Sequence, residues 1–485
     1  MRTTLWWIRR DLRLADNQAL ASALRGADQV IPVFVLDPVL LASPYVGEKR
    51  LAFLFEGLRI LDADLRVHGS YLVVRRGDPV TMLEELVEET GAAMVYAERD
   101  VSPYATRRDA AVGRRVPLRL SHGLTVHPPE AVCKADGDPY VVYTPYSRTW
   151  KTLPLPSRGE LLPAPDAIPT PRHLASERIP ESPRLELPFA PGESAAQRRL
   201  MAFAEAQMHA YDRLRDCVDL DATSGLSPYL RFGMISARRV AVTALDAMEE
   251  AVGAARQGAV TWLNELIWRE FYISILMHFP EVRRRSFREV YRHLLWDNDR
   301  EAFLAWQEGR TGYPIVDAAM RQLLATGWMH NRARMIVASF LTKDLLVDWR
   351  WGERHFMQHL IDGDPAANNG GWQWTAGTGT DAAPYFRVFN PVLQSNRDDP
   401  AGAYIRRWVP EVADGPDEVS HPPWTLSRAQ QERSGCIVGL DYPAPIVEHK
   451  VARERAIAAY DRARAQPSTP IGGVDDGGGY ENKGS

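Results

Sequence analysis

Residues 361–391 read IDGDPAANNGGWQWTAGTGTDAAPYFRVFNP, a stretch with more chemistry than core packing requires. Asp362 and Asp364 flank a single glycine, Asn368 and Asn369 precede a glycine pair, and Trp372 and Trp374 follow. The two carboxylates are open to three readings: a metal pair, a turn, or acceptors for a cofactor. No cluster of His or Cys completes a metal site, and no metal is expected. Gly377-Thr-Gly379-Thr-Asp-Ala382 fits the G-x-G-x-x-A dinucleotide string, yet no strand precedes it, so it is set aside. His355 and His359 stand four apart without the glutamate of a metalloprotease motif.

Outward from this stretch, helical spacing dominates from about Ser194 to Arg464, as in Val316, Ala319, Met320, Leu323 and Leu324. Leu153 to Pro191 holds ten of the 35 prolines, which disfavours helix and sheet and predicts a connector joining domains or wrapping a surface. Before it, Leu5–Ile8, Val30–Leu36, Tyr71–Arg75 and Met94–Ala97 are short apolar runs suited to strands buried on both faces. Glu48–Leu65 and Val80–Glu89 are long enough for crossover helices, and the alternation predicts a doubly wound parallel sheet. Strand-end loops near Arg9–Arg13, Asp37-Pro38 and Glu98–Tyr104 are then candidate ligand sites. The expected organisation is an α/β domain over 1–130, a connector over 131–195, a larger all-α domain over 196–466 and a disordered Gly/Ser/Asp-rich tail over 467–485.

Composition excludes several classes. With 45% hydrophobic and 25% charged residues and no long apolar run, the chain reads as globular with no membrane span. Its start lacks a secretory h-region and cleavage site, so a cytoplasmic protein is expected. Cys133, Cys217 and Cys436 are too few and too scattered for a disulfide framework. The net charge of −4 confines any nucleic-acid surface to local patches; Arg283-Arg284-Arg285 and Arg406-Arg407 could supply one, although such runs are more often solvated faces.

Eleven of the fourteen tryptophans lie beyond residue 260, which places the candidate site in the helical half. Glu265 and Trp268 lie three apart on one helical face, so an acid and an aromatic plate share a pocket, unless Glu265 pairs with Arg269. Thr223-Ser-Gly-Leu-Ser-Pro228 reads either as an ordinary helix cap or as a diphosphate cradle, with Ser227 capping a helix that begins at Pro228.

The opening stretch, together with WLNELIWREFY at 262–272 and GWMHNRARM at 327–335, resembles the DNA photolyase and cryptochrome family. It is most similar to the bacterial class I members that repair cyclobutane pyrimidine dimers, and the resemblance covers nearly the whole chain. It implies FAD held by Tyr211, Thr223, Ser224, Gly225, Leu226, Ser227, Arg334, Asp362, Asp364 and Asn368. Arg334 would pair with Asp362, Asp364 would lie near the isoalloxazine edge, and Asn368 would lie against flavin N5, where plant cryptochromes carry an acid. Trp372, Trp349 and Trp296, in that order from the cofactor, match a chain of indoles that passes a hole to the surface.

The resemblance also implies a pocket for a flipped-out dimer in UV-damaged DNA. Trp268 would stack on the lesion, a protonated Glu265 would bond its carbonyls, and Trp374, Asn331 and Met335 would line the walls. Arg215, Arg332 and Arg387 would grip phosphates. Photolyases for (6-4) photoproducts carry histidines where this chain has Asn331 and Met335, which favours cyclobutane dimers. Arg50 and Asp100 match contacts to an 8-hydroxy-5-deazaflavin antenna, whereas Tyr104 replaces the glutamate of members using methenyltetrahydrofolate, the alternative. The expected activity is light-dependent carbon–carbon lysis by a monomer with no obligate protein partner. The rivals are a cryptochrome photoreceptor and, further off, an unrelated flavoenzyme working in the dark.

Overall fold

The computed structural model describes residues 1–181, 185–413 and 421–465, so the tail expected over 467–485 lies outside the described residues. The N-terminal half is built on five parallel strands: β1 (Thr3–Ile8), β2 (Gln29–Leu36), β3 (Val73–Arg76), β4 (Val95–Glu98) and β5 (Leu118–Ser121), in the order β3-β2-β1-β4-β5. The apolar runs of β1 and β2 are buried on both faces, as parallel strands between layers must be. Helices Glu48–Val67 and Pro79–Thr90 occupy the expected crossovers. β5 is an addition to the four expected strands: its sequence LRLS is half exposed at the sheet edge and has no apolar run to announce it.

Period-2 alternation divides the strand side chains between two cores. Leu5 and Trp7 of β1 pack with Val33 and Val73 in one, while Trp6 and Ile8 belong to another that continues through Phe203, Trp262 and Phe271 of the helical half. One face of the sheet is therefore cemented to the second domain. The strand order reverses between β1 and β4, which opens a crevice at their carboxyl ends. Arg10 and Asp100 stand at those two ends and meet there at 3.3 Å.

Within 131–195, where the composition predicts only connector, a helix forms at Tyr143–Thr152. Tyr146 and Trp150 supply its buried face against the long helix Gly253–His278. Beyond it the proline-rich stretch runs along the sheet domain, with Val30 N–H donating to Pro169 O and Ile168 N–H to His68 O, each at 2.8 Å. Helices fill the described residues from Glu193 to Ala465 apart from short turns and loops, and no helix among the described residues is long and apolar enough to cross a membrane.

Glu270, on Gly253–His278 and almost fully buried, ties these pieces together. Its carboxyl accepts from Val126 N–H and, at 2.7 Å, from Trp150 Nε1–H. Burial raises it to about 7 despite these donors and Arg269. A folded value above the unfolded one means a contribution to stability that is complete below about pH 4.5 and lost as pH rises through about 7. Glu270→Gln should therefore flatten the pH dependence: in denaturant titrations, wild-type stability relative to the variant should fall by up to about 3 kcal/mol between about pH 5 and pH 8.

Candidate cofactor and lesion site

The Asp362-Gly363-Asp364 turn sits where both domains meet. Asp362 is buried, its Oδ2 accepts from Arg334 Nη2 at 2.8 Å, and its Oδ1 has no partner among the described residues. Arg334, on helix Asn331–Ser339, is held by a second bond from Nε to Met329 O at 2.8 Å. Gly327 makes the approach possible, since its φ of +73° is left-handed and a Cβ there would crowd Ile361 and His359 O. Asp364 instead caps helix Pro365–Ala376, accepting from Ala366 N–H and Ala367 N–H at 2.9 and 3.2 Å. Its Oδ2 receives Arg10 Nη2 at 2.6 Å. Burial opposes its charge, yet Arg10, Arg231 and Arg269 hold it down to about 2.

The same turn receives Arg231, whose Nε donates to Gly363 O at 2.8 Å. Arg50 packs so closely on Gly363 that a Cβ would overlap its guanidinium. That guanidinium donates to the carbonyls of Tyr45, Met357 and Leu360. Arg50 and Asp100, expected at an antenna, thus both stand in the interdomain seam, with Asp100 engaged by Arg10.

In the candidate diphosphate loop, Gly225 has a φ of +58° and Arg199 Nε donates to Ser224 O at 2.7 Å. Ser227 differs from expectation. The helix runs Ser227–Phe232 with Leu226 as its cap residue, because Leu226 O already accepts from Leu230 N–H at 3.0 Å. Ser227 therefore stands inside the first turn, makes no cap bond, and has its hydroxyl free of that role. Thr223 lies in the same loop, and Tyr211 is buried edge-on to Phe203. Asn368 donates from Nδ2 to Glu353 O at 3.0 Å. Glu353, buried beside it, is raised to about 7 by burial against the pull of Arg283.

Trp372 and Trp349 lie in one buried core, and neither indole N–H has an acceptor among the described residues. Gly352 gives Trp372 its room, because a Cβ would strike the ring. Trp296 is half-buried at the edge of that core, edge-on to Tyr460 at 6.2 Å. Trp306, which no sequence motif singles out, is edge-on to Trp372 at 6.0 Å.

Glu265 pairs with Arg215 rather than with Arg269, whose Nη1 turns to Leu124 O at 3.0 Å. Burial pushes the Glu265 carboxyl upward, with Arg215 opposing. Trp268 stacks on Tyr143 with centroids 3.7 Å apart and planes 4° from parallel. Asn331 and Met335 are in contact one helical turn apart, and Arg332 bonds Asp216 at 2.7 Å. Trp374 is half-buried, whereas Arg387 stands on an exposed loop, its guanidinium 5.5 Å from the Phe389 ring. Tyr143, Asp216 and Glu353 join the site without being expected there, and Arg10 reaches it from the strand-end loop Arg9–Arg13 expected to hold a ligand. Only Tyr143 carries a local signal, through its helical spacing with Tyr146 and Trp150.

Two family models match: DNA photolyase over residues 4–168, and the FAD binding domain of DNA photolyase over 262–462. The deoxyribodipyrimidine photo-lyase of Escherichia coli is 40% identical, covering 96% of this chain and 99% of its own. The chain belongs to the DNA photolyase family. A deoxyribodipyrimidine photo-lyase from Synechococcus is 39% identical over 96% of this chain and 98% of its own. Among solved structures, a class III photolyase from Agrobacterium tumefaciens superposes with a TM-score of 0.90 at 36% identity, covering 96% and 98% of the two chains. A Synechocystis cryptochrome superposes at 0.87 with 30% identity, covering 95% and 99%.

The residues present fit FAD. Asp362 Oδ1 and the N–H of Trp372 are buried polar atoms with bonding capacity to spare, and the loop over 223–227 bears the hydroxyls of Thr223, Ser224 and Ser227. Arg334→Leu should leave Asp362 buried without its hydrogen-bonded cation. The expected result is a loss of about 3 kcal/mol in unfolding free energy and a lower flavin-to-protein ratio after gel filtration.

Proposed function

We propose that this chain repairs cyclobutane pyrimidine dimers in DNA as a light-driven lyase. The observation that carries the reading is the juxtaposition on helix Gly253–His278. A half-buried acid of raised proton affinity, Glu265, and a stacked indole, Trp268, face the same side, and this helix packs against Pro365–Ala376, which bears Asn368 and Trp372. Reduced FAD, when bound, would supply a light-driven electron to the dimer and accept it back once the ring has opened.

The protein's own residues do the rest. Trp268 offers a flat face to a flipped-out base pair, with Trp374 as the opposite wall and Asn331 and Met335 lining the side. Glu265, protonated or sharing a proton with a pyrimidine carbonyl, takes up charge that develops there, and Arg215 fixes its direction. Arg332 and Arg387 hold phosphates on either side of the lesion without reading sequence. Asn368 offers an amide to N5 of the isoalloxazine and bonds in different redox states without adding charge. Tyr211 and residues 223–227 hold the diphosphate. Trp296, Trp349 and Trp372 relay electrons inward from the surface.

For the antenna, our reading is 8-hydroxy-5-deazaflavin at the crevice between β1 and β4, with methenyltetrahydrofolate second. Asp100, held ionised by Arg10 against the penalty of burial, is the natural hydrogen-bond acceptor there, while Arg50 contributes charge with its donors already engaged. We read the enzyme as a cytoplasmic monomer needing no protein partner. A cryptochrome reading draws on the fold shared with the Synechocystis protein.

The deciding measurement is dimer-containing DNA under blue light with a dark control: thymines should reappear only in the light, and no repair with reduced flavin bound would leave the photoreceptor reading. Glu265→Ala should cut repair by about tenfold, or ~1.4 kcal/mol, with flavin content unchanged. Trp372→Phe should slow photoreduction of the oxidised protein by at least about tenfold while pre-reduced enzyme repairs at the wild-type rate. An absorption spectrum of the purified protein will show which antenna, if either, accompanies the flavin bands.

A further inference from the structure

Tyr143 begins the helix that interrupts the expected connector, and it is held at three points. Its ring lies flat on Trp268, its hydroxyl donates to Asn264 O at 2.9 Å, and its backbone N–H donates to Asp381 Oδ2 at 3.2 Å. Asn264 and Trp268 are one turn apart on Gly253–His278, so the phenol spans that turn and prevents the indole from rotating away. Phe271 abuts the edges of both rings, at 6.0 Å from Tyr143 and 5.6 Å from Trp268. Tyr272 supports the indole from the next turn at 5.6 Å, and is itself pressed against Gly370 of helix Pro365–Ala376.

Asp381 is the second half of the device. It adopts a φ of +44°, in the left-handed region that favours glycine, and its carboxylate is turned onto the Tyr143 backbone. Its loop folds back onto the end of Pro365–Ala376: Thr378 N–H and Gly379 N–H both donate to Gln373 O at 3.0 Å, and Ala383 N–H donates to Trp374 O at 3.2 Å. Asp381 is thereby fixed relative to Trp374, while Tyr143 is fixed relative to Trp268.

We propose that Tyr143, anchored by Asp381, is a positioning residue that sets the spacing between Trp268 and Trp374 and so gives the pocket its preference for a pyrimidine dimer. The inference rests on the proposed lesion pocket, because the two indoles matter only if a base pair enters between them. Its physical basis is pre-organisation. A ring already braced loses no rotational freedom when the dimer stacks on it, and a fixed gap selects a ligand of one thickness.

The test uses holoenzyme in the dark with oligonucleotides carrying one thymine dimer or none. Tyr143→Leu removes the stack and should weaken dimer binding by about tenfold, leaving affinity for undamaged DNA and flavin content within about twofold of wild type. Tyr143→Phe keeps the stack and should restore most of the affinity. Asp381→Gly relieves the strained backbone but removes the anchor, so it should also weaken dimer binding, whereas Asp381→Asn retains an acceptor and should not. In steady-state repair KM should rise while kcat holds, a split that general loosening of the fold would not produce. Equal weakening toward both DNAs, or unchanged dimer affinity in Tyr143→Leu, overturns the proposal. If Tyr143→Leu does not fold, the contrast between Asp381→Gly and Asp381→Asn decides alone. Trp268→Ala runs in parallel: if it weakens dimer binding and the Tyr143 and Asp381 variants do not, only this inference falls, and if none of them does, the lesion pocket falls with it.

Discussion

Two carboxylates separated by one glycine, one buried and one largely so, cannot stay ionised unless cations converge on them from outside the segment. That constraint on Asp362 and Asp364 organises the molecule. Arg334 arrives from the helix beginning at Asn331, Arg231 from the helix beginning at Ser227, and Arg10 and Arg50 from the α/β domain. Since the penalty for an unpaired buried charge is several kcal/mol, the domains are bound to one relative placement by the chemistry of a three-residue turn. The shared apolar core that runs from Trp6 to Phe271 enforces the same placement without direction, and the ion pairs supply the direction.

The topology of the sheet explains why Arg10 is available. A reversal of strand order between β1 and β4 places their loops side by side at the carboxyl edge, where Arg10 bridges Asp100 of one domain and Asp364 of the other. A doubly wound domain ordinarily binds its ligand in this crevice. Here the crevice also reaches the Asp362-Gly363-Asp364 turn, so an antenna seated at one end of the arginine bridge would stand close to the residues proposed to hold FAD at the other.

The side proposed to take the lesion follows a different logic. Glu265, Trp268 and Tyr272 are presented by one long helix, and their neighbours come from the helix carrying Asn368, from the short helix Tyr211–Leu214 and from the connector. Arg215 is needed because an acid with raised proton affinity would otherwise be free to turn. Tyr143 does the same for the indole. Each reactive-looking side chain is thus held by a second one from a distant segment, which is how a pocket keeps its shape while empty.

Much of this architecture is legible in the order of the amino acids. Apolar runs mark β1 to β4 because strands buried on both faces tolerate little else, and helical periodicity with late-clustered tryptophans locates the second domain. The Asp362–Arg334 pair is expected from the family resemblance, and the structure contains it. β5, the helix Tyr143–Thr152 and the cap position at Leu226 are not legible in this way. An edge strand needs no apolar run, a short helix can borrow its stability from packing, and a cap is decided by which carbonyl is already bonded. The sequence by itself determined which segments are most of the strands and helices, and which residue types are present to bind a dinucleotide beside an acid and an indole. Only the tertiary structure decided that Asp364 meets Arg10 across 354 positions, that Glu265 meets Arg215 and not its helical neighbour Arg269, and that Tyr143 lies on Trp268. The reason is physical: periodicity reports on residues within a turn or two of one another, whereas ion pairing and ring stacking depend on distances between segments that the chain's local order does not encode.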